Sequence, residues 1–207
     1  MKLQWLGHSC FRITLANGKT LVTDPYDNSV GYPELHTPAD IVLSSHDHFD
    51  HNHFDAIEGD FEVVNQPGTY ERFGATITGA HSWHDDAEGA KRGRNVIFAV
   101  EADGVKLVHL GDLGHQPDTE AQADVISGAD VLLIPIGGTY TITTPEAVAL
   151  IERFKPKAAI AMHYKNKYCH FPVTDCAEFV RLTGAQTLPN AVEIDKNALS
   201  GCYVMEI

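Results

Sequence analysis

The chain has 207 residues, 43% of them hydrophobic, and its 28 acidic and 15 basic side chains give a formal net charge of −13. This length suits one compact domain, so we expect residues 1–207 to form a single domain. No apolar run reaches the roughly 18 residues that a membrane-spanning helix needs, and the N-terminus is too short and polar for a secretory signal. A surface this acidic repels nucleic acid, because phosphate binding rests on Lys and Arg. We therefore expect a cytoplasmic protein with no membrane and no nucleic-acid partner.

The first half of the chain is typical of short strands. Alternating or β-branched apolar residues predict strands at 3–6, 10–15, 20–23, 41–43, 62–64, 69–72, 75–78, 96–101 and 105–110. The dipeptide Asn17-Gly18 predicts a tight hairpin turn between the second and third of these strands. A loop that contains several prolines follows from 25 to 38.

The second half alternates helices with strands. Periodic apolar residues predict helices at about 119–127, 144–154 and 174–182, and strands at 131–134, 158–161 and 202–207. Thr144-Pro145 is a good helix start, with Thr as the cap and Pro at the first helical position. Meandering strands followed by this alternation predict a mixed α/β fold with two sheets covered by outer helices.

Histidine is unusually frequent and clustered. Of 12 histidines, four lie between positions 46 and 53, directly after the apolar strand at 41–43. Histidine is the commonest protein ligand of transition metals. Because alternate residues of an extended segment point the same way, His46 and His48 can reach one metal ion. Asp50 and His51 fall where the chain is expected to turn into a helix, and they can face a second ion.

The run His46-x-His48-x-Asp50-His51 resembles the signature of the metallo-β-lactamase superfamily. The other elements of that family's pattern follow in order, as Asp24 after a strand, His81 or His84, the pair Gly111-Asp112, and His163. Within the superfamily the chain is similar to the small cytoplasmic metal-dependent hydrolases near the ascorbate-6-phosphate lactonases. The matching segments include 7–11, 92–95, 109–115 and 134–138. The resemblance implies an α/β fold, a four-layer αββα sandwich of two mixed β-sheets with outer helices.

The resemblance also implies two divalent transition-metal ions per chain, zinc first, with manganese or iron as alternatives. The first ion would take His46, His48 and His84, and the second would take Asp50, His51 and His163. Asp112 would bridge them, with a hydroxide on the open side. His84 is favoured as third ligand of the first ion because the hydrolase branch places it in a Trp-His-Asp context, and His81 is the alternative.

Further residues have two interpretations each. His8 is a proton donor or substrate contact, or else a buried hydrogen-bonded histidine, and it joins Asp50 and Asp112 as a predicted catalytic residue. Asp24 either orients a ligand histidine or caps a turn before Pro25. The basic cluster of Lys91, Arg92 and Arg94 either binds a substrate phosphate or forms a solvated loop. Residues 137–140 either present backbone N–H groups to an anion or form a plain turn. His115 is a pocket candidate and His109 a core histidine.

The function that follows is hydrolysis of a small ester, lactone or phosphoester by a hydroxide activated between two metal ions. The alternatives are a nucleotide or RNA phosphodiesterase, a di-metal redox centre, or a metal-binding protein without catalysis. The net charge of −13 argues against a polymeric nucleic-acid substrate. The expected partner is a small-molecule substrate, anionic if the basic cluster binds it, and a homo-oligomer stays open.

Overall fold

The computed structural model describes residues 1–207 as sixteen β-strands and three α-helices. The strands are β1 (Lys2–Gly7), β2 (Cys10–Thr14), β3 (Thr20–Thr23), β4 (Thr37–Pro38), β5 (Ile41–Leu43), β6 (Ile57–Glu58), β7 (Glu62–Val64), β8 (Gly68–Arg72), β9 (Ala75–Trp83), β10 (Arg94–Ala102), β11 (Val105–His109), β12 (Val131–Pro135), β13 (Ala158–Met162), β14 (Gln186–Leu188), β15 (Ala191–Glu193) and β16 (Gly201–Met205). The helices are α1 (Glu120–Ile126), α2 (Thr144–Phe154) and α3 (Ala177–Thr183).

Two mixed sheets pack face to face. One has six strands in the order β15-β1-β2-β3-β5-β7, and the other has eight in the order β14-β16-β13-β12-β11-β10-β9-β8. A core cluster of 45 buried residues connects the two sheets and the helices, with Phe11, Leu21 and Leu43 from the first sheet and Ile97 and Leu133 from the second. The expected mixed α/β class with two mixed sheets is confirmed.

Both faces of the six-stranded sheet are buried, so its strands carry apolar side chains on both sides. Phe11 and Leu21 point into the main core, whereas their neighbours Cys10 and Val22 belong to a second cluster of 12 buried residues on the opposite face. This second cluster lies under loops that contain two 3-10 turns, Asn28–Val30 and Phe54–Ala56. The prediction of a helix just after His51 is therefore wrong, because the chain forms only the short 3-10 turn Phe54–Ala56 there.

The three α-helices flank the eight-stranded sheet. Helix α1 packs against β9 and β10, α3 packs against β16, and α2 packs against α3. Helix α2 begins at Thr144 with Thr143 as its cap, and the carboxylate of Glu146 accepts a hydrogen bond from the Thr143 backbone N–H at 2.7 Å. The cap thus lies one residue before the predicted one. The longest helix has 11 residues, and no helix is long and apolar enough to cross a membrane.

The hairpin between β2 and β3 forms as the Asn17-Gly18 pair predicted. Gly18 has φ 83° and its N–H donates to the Leu15 carbonyl at 2.9 Å. The predicted strand at 75–78 is too short, since β9 continues through Gly79 to Trp83 in unbroken register with β10. Gly79 is not a turn residue. It lies where an added Cβ would be 3.0 Å from the Phe98 ring and 3.1 Å from the Gln66 carbonyl oxygen.

Candidate metal centre

The strand ends of both sheets deliver the polar residues to one place. Strands β3 and β5 are parallel, so Asp24 and the segment after Leu43 emerge at the same edge of the first sheet. In the second sheet β11, β12 and β13 are parallel, and β9 runs in the same direction because it is antiparallel to β10, which is antiparallel to β11. His84, Asp112 and His163 follow β9, β11 and β13 there. Ligand sites in open α/β sheets are expected at this carboxyl edge.

Three residues of the site have strained backbones. His8, Asp24 and His163 have φ values of 53°, 42° and 53°, in the left-handed region that residues with a Cβ seldom adopt. His8 lies in the two-residue turn that joins β1 to β2, where Gly7 pairs with Cys10. Each such conformation costs on the order of 1 kcal/mol, and observed strain of this kind clusters at functional sites. The turns therefore aim these side chains inward at a cost in stability.

Histidine nitrogens converge on Asp112. The Nε2 atoms of His51, His84 and His163 lie 3.3, 3.3 and 3.1 Å from its Oδ2. The Nε2 atoms of His51 and His163 nevertheless make no hydrogen bond of acceptable geometry. Two ligand atoms about 2.0–2.1 Å from a tetrahedral zinc ion would lie about 3.3 Å apart. The spacing around Asp112 is thus that of ligands which share a cation.

Three overlapping groups of candidate ligands lie at this carboxylate. His46, His48 and His84 form the first, Asp50, His51, His163 and His8 form the second, and His46, His51 and Asp112 form a third that connects them. Within each group the ligand atoms all lie within 4.8 Å of one another. The structure therefore brings together all seven residues for which a metal role was predicted, and their division between two ions stays a prediction.

His8 belongs to the second group. It is fully buried, its Nε2 lies 3.2 Å from the Asp50 Oδ2, and its ring centre lies 4.2 Å from that of His163. Burial, and then the proximity of His163, lower the pKa of His8 to about 4. The imidazole is therefore neutral at neutral pH, and its Nε2–H can donate to the Asp50 carboxylate.

A network below the cluster fixes the tautomers of two histidines. Asp24 Oδ2 lies 2.9 Å from His51 Nδ1 and accepts a hydrogen bond from the Ser45 hydroxyl at 2.7 Å. Because that hydroxyl donates to Asp24, it accepts from His46 Nδ1 at 2.9 Å. In their neutral forms His46 and His51 therefore carry the proton on Nδ1, and each turns Nε2 toward the cluster. A carboxylate behind a ligand histidine typically has this orienting effect.

The donor set fits divalent metal ions. Buried atoms without a hydrogen-bond partner include His46 Nε2, His51 Nε2, both ring nitrogens of His163, and Asp112 Oδ1. Three carboxylates, those of Asp24, Asp50 and Asp112, are buried with only histidines as ion-pair partners. Buried charge must be balanced by nearby opposite charge, and no Lys or Arg supplies it here.

The protonation states of Asp112 and His46 agree with metal ligation. Burial alone would raise the pKa of Asp112, but the imidazoles of His163 and His51 hold it well below the ordinary range. Burial, and then the neighbouring His51, lower the pKa of His46. Ligands bind a metal as carboxylate and neutral imidazole, so Asp112 and His46 are already in the binding form at neutral pH. His51 differs, because the carboxylates of Asp112, Asp50 and Asp24 outweigh its burial and raise its pKa, so it releases a proton when it binds a metal.

Asn95 and Ser45 position residues of the centre, and the sequence pattern predicted no role for either of them. The amide of Asn95 donates to the Ser82 hydroxyl and the Leu110 carbonyl, and its oxygen accepts from the Asp112 backbone N–H at 3.0 Å. This holds the turn that carries Asp112. At Gly111, with φ 56°, an added Cβ would lie 2.6 Å from the Ser45 Cβ, so only glycine fits. No local sequence pattern marks Asn95, because its partners lie 13 to 17 residues away.

The remaining candidates lie outside the cluster. His81 is on β9 and packs its ring edge-on against Trp83 at 4.2 Å. His109 is a core histidine, with Nε2 donating to the Ser9 carbonyl at 2.8 Å and Nδ1 accepting from the Gly111 N–H. His115 Nε2 accepts from the Trp83 N–H at 3.2 Å. In the segment 137–140, Gly137 packs against the His163 carbonyl.

Cavities open on two sides of the cluster. One, of about 290 Å³, is bordered by His84 and Asp112 and by the aromatic rings of Phe49, Tyr140 and Phe171. The other, of about 460 Å³, has a mostly polar lining and is bordered by His46 and His48. His48 and Arg92 line both cavities, so the two spaces meet beside the candidate metal centre.

Known proteins share this fold and pattern. The family model of the beta-lactamase superfamily domain matches residues 2–163. A crystal structure from Thermotoga maritima, described as a zinc-dependent hydrolase of the metallo-β-lactamase superfamily, is similar over 99% of this chain and 97% of that one, with a TM-score of 0.82 and 38% identity. A UPF0173 metal-dependent hydrolase from Methanoregula boonei is 33% identical over 80% of this chain and 83% of its own. Another from Thermococcus onnurineus is 29% identical over 89% of this chain and 92% of its own.

Both the sequence match and the structural match extend through the candidate metal centre, from Asp24 to His163. The relatives are named as metal-dependent hydrolases, which agrees with the buried His and Asp groups described above. The chain therefore belongs to the metallo-β-lactamase superfamily, and it is an enzyme, a metal-dependent hydrolase.

Proposed function

We propose that this hydrolase is a cytoplasmic enzyme that cleaves a small ester, lactone or phosphoester with a hydroxide held between two divalent metal ions. The observation that carries the proposal is the convergence of histidine nitrogens on Asp112, next to overlapping groups of candidate ligands that include His46, His48 and His84 and also Asp50, His51 and His163. Zinc suits this mixed set of imidazoles and carboxylates, and manganese or iron are alternatives.

In this proposal His46, His48 and His84 hold the first ion. Asp50, His51 and His163 hold the second, and Asp112 contacts both. Bound metal supplies a hydroxide at neutral pH, because coordination lowers the pKa of water to about 7, and it polarises the substrate oxygen. The protein's own contribution is to hold the imidazoles and carboxylates in position and to leave one side of the site open.

The size of the cavity beside His84 and Asp112 favours a small substrate. Phe49, Tyr140 and Phe171 surround the smaller cavity, where Phe49 is half exposed and its ring packs edge-on against Phe171. A cavity of about 290 Å³ lies at the lower end of the range for small-molecule sites. His8, hydrogen-bonded to Asp50, helps to hold that carboxylate in place.

The test combines metal analysis with turnover. The protein, purified without chelator, should contain close to two transition-metal ions per chain and hydrolyse at least one member of a panel of esters, lactones and phosphoesters. Asp112→Ala should abolish measurable turnover and reduce the metal content toward one ion per chain, since the three histidines of the first group keep their geometry.

His36→Ala is the matched control, because His36 is exposed and its only ion-pair partner is Glu34. It should keep the metal content and rate of the parent protein. If the parent protein takes up no metal on reconstitution, or if Asp112→Ala keeps both ions and the full rate, the two-ion proposal is wrong.

A further inference from the structure

Two arginines border the larger cavity beside the candidate metal centre. Arg92 and Arg94 line this cavity together with His46 and His48, and it measures about 460 Å³. Its walls are otherwise mostly neutral and polar, with the amides of Asn52, Asn65 and Gln66, and Phe54 and Val96 as the hydrophobic members. The one acidic residue at its border, Asp47, is hydrogen-bonded by Asn52. The cavity thus combines positive charge with neutral hydrogen-bonding groups.

Neither arginine is paired with a carboxylate, although the chain has 28 acidic residues against 15 basic ones. Arg94 makes no side-chain hydrogen bond or ion pair. Arg92 donates to the Thr139 carbonyl at 3.2 Å and stacks over the Tyr140 ring, 5.4 Å from its centre. Lys91 lies in the loop between β9 and β10 and, by contrast, forms an ion pair with Asp86 at the surface. In a protein with excess negative charge, two guanidinium groups without a carboxylate partner beside a cavity point to an external anionic partner, although Arg94 is exposed to solvent.

The loop that carries Arg92 is rigidly held. The buried carboxylate of Asp85 accepts hydrogen bonds from the backbone N–H groups of Ala87, Gly89, Lys91 and Arg92, at 2.8, 2.9, 2.9 and 2.7 Å. Arg94 begins β10, where it pairs with Trp83 of β9. Both guanidinium groups therefore extend from fixed backbone positions, which lowers the entropic cost of binding a ligand.

We propose that Arg92 and Arg94 bind an oxyanion of the substrate, a phosphate or carboxylate group that is separate from the bond being cleaved. This inference rests on the proposed hydrolysis at the neighbouring metal centre. The planar guanidinium group matches the geometry of both oxyanions and binds them through two parallel N–H bonds. The amide-lined cavity between the arginines and His46 then accommodates a short polar segment that connects the anionic group to the reacting bond.

Binding to the metal-loaded protein gives the first test. Calorimetric titration with inorganic phosphate, and separately with succinate, compares the parent protein with Arg92→Gln, Arg94→Gln and the control Lys91→Gln. We expect each arginine variant to weaken binding of at least one of the two anions about tenfold to one-hundredfold, as loss of a charge-assisted hydrogen bond implies. Lys91→Gln should bind like the parent. Equal affinities in all four proteins, as expected if the metal ions alone bind the anion, would overturn the proposal.

Turnover gives the second test and separates the two hypotheses. A neutral aryl ester is compared with matched esters that carry a terminal carboxylate or phosphate, using the ratio of their kcat/KM values. We expect the parent protein to prefer one of the anionic esters, and each arginine variant to reduce that ratio about tenfold or more, whereas Lys91→Gln keeps it. Absence of any hydrolysis, with the arginine-dependent anion binding intact, would reject the proposed function and keep the anion site. Hydrolysis with the same ratio in all variants would reject the anion site.

Discussion

The orientation of the candidate ligands depends on residues that do not touch the centre themselves. Asp24 accepts from Ser45 and His51, and Ser45 in turn accepts from His46, so one buried carboxylate sets the tautomer of two histidines from different positions of the motif. The pKa of Asp24 is lowered because His51 and His109 outweigh the effect of burial, which acts in the opposite direction. The carboxylate therefore stays charged and remains a hydrogen-bond acceptor.

The variants His84→Ala and His81→Ala test which of the two histidines binds a metal ion. His84 Nε2 lies 3.3 Å from Asp112 Oδ2, and its ring centre lies 4.7 Å from that of His46, whereas the His81 ring packs against Trp83. We expect His84→Ala to lower metal content and to weaken zinc binding by about a hundredfold or more, since loss of even a supporting partner typically costs 10–100-fold. His81→Ala should retain the parent affinity.

Chelator competition with a zinc indicator measures both affinities, and circular dichroism checks that both variants fold. Equal loss in the two variants, or loss only in His81→Ala, would contradict the assignment of His84.

Strands and helices were predictable from the sequence where a pattern of neighbouring apolar residues marks them. The strands before Asp24, His46 and His163 carry continuous or alternating apolar residues, and their ends were predicted within one residue. The strand predicted at 75–78 ends one residue before Gly79, because a glycine required for close packing against Phe98 has the same sequence signature as a glycine that ends a strand in a turn. The helix predicted after His51 failed for a related reason. The segment there covers a buried cluster with short 3-10 turns, and this depends on tertiary contacts that no local period reveals.

The site was predictable to the extent that its residues stand next to recognisable strands. His46 to His51 follow one strand in a dense run, so their proximity was implied by spacing alone. Asn95 and Ser45 act through partners that are remote in the sequence or through backbone atoms, and such contacts leave no pattern. Asp85 directly follows His84, but its carboxylate organises the loop from Ala87 to Arg92.

Replacing Asp85 should destabilise this loop and the fold around it. Asp85→Asn removes the charge that accepts four backbone N–H groups at a buried position, and we expect a loss of about 2 kcal/mol in the free energy of unfolding. Asp86→Asn is the matched control, since its exposed pair with Lys91 should contribute well under about 1 kcal/mol. Urea denaturation of both metal-loaded variants at pH 7 measures the difference.

The pH dependence of this effect has a defined sign. Burial acts to raise the pKa of Asp85, but the backbone N–H groups, that of Arg92 foremost, lower it from 3.8 to about 2. A depressed pKa means that the stabilisation is fully present above the unfolded value near 3.8 and is lost as the pH falls through about 2. The stability difference between the parent protein and Asp85→Asn should therefore shrink between pH 4 and pH 2. A constant difference over that range would show that the contribution of Asp85 does not depend on its charge.

At the scale of the whole molecule, the candidate metal centre joins the two sheets. His8, Asp24 and the segment 46–51 come from strand ends and turns of the six-stranded sheet, and His84, Asp112 and His163 come from those of the eight-stranded sheet. Few hydrogen bonds cross between the sheets near the site, among them Val96 N–H to the Ser45 carbonyl at 2.8 Å and His109 to the Ser9 carbonyl. Three buried carboxylates meet at this junction, and their mutual repulsion opposes the closed sandwich unless cations balance it.

Removal of the metal ions should therefore lower the stability of the entire sandwich, not only the activity. A ligand present at 100 times its dissociation constant stabilises the folded state by about 2.7 kcal/mol, and 1 kcal/mol shifts the melting temperature of a domain of this size by about 2–4 °C. We expect chelation to lower the melting temperature by on the order of 5–10 °C and added zinc to restore it. Hydrogen exchange should accelerate at the carboxyl ends of β3 and β5 and also of β11 and β13, because both sheets lose their shared attachment. In Asp112→Ala, chelation should lower the melting temperature less, because this variant binds less metal before the chelator is added. An unchanged melting temperature in protein confirmed to be free of metal, or faster exchange in one sheet alone, would mean that the ions do not connect the two sheets.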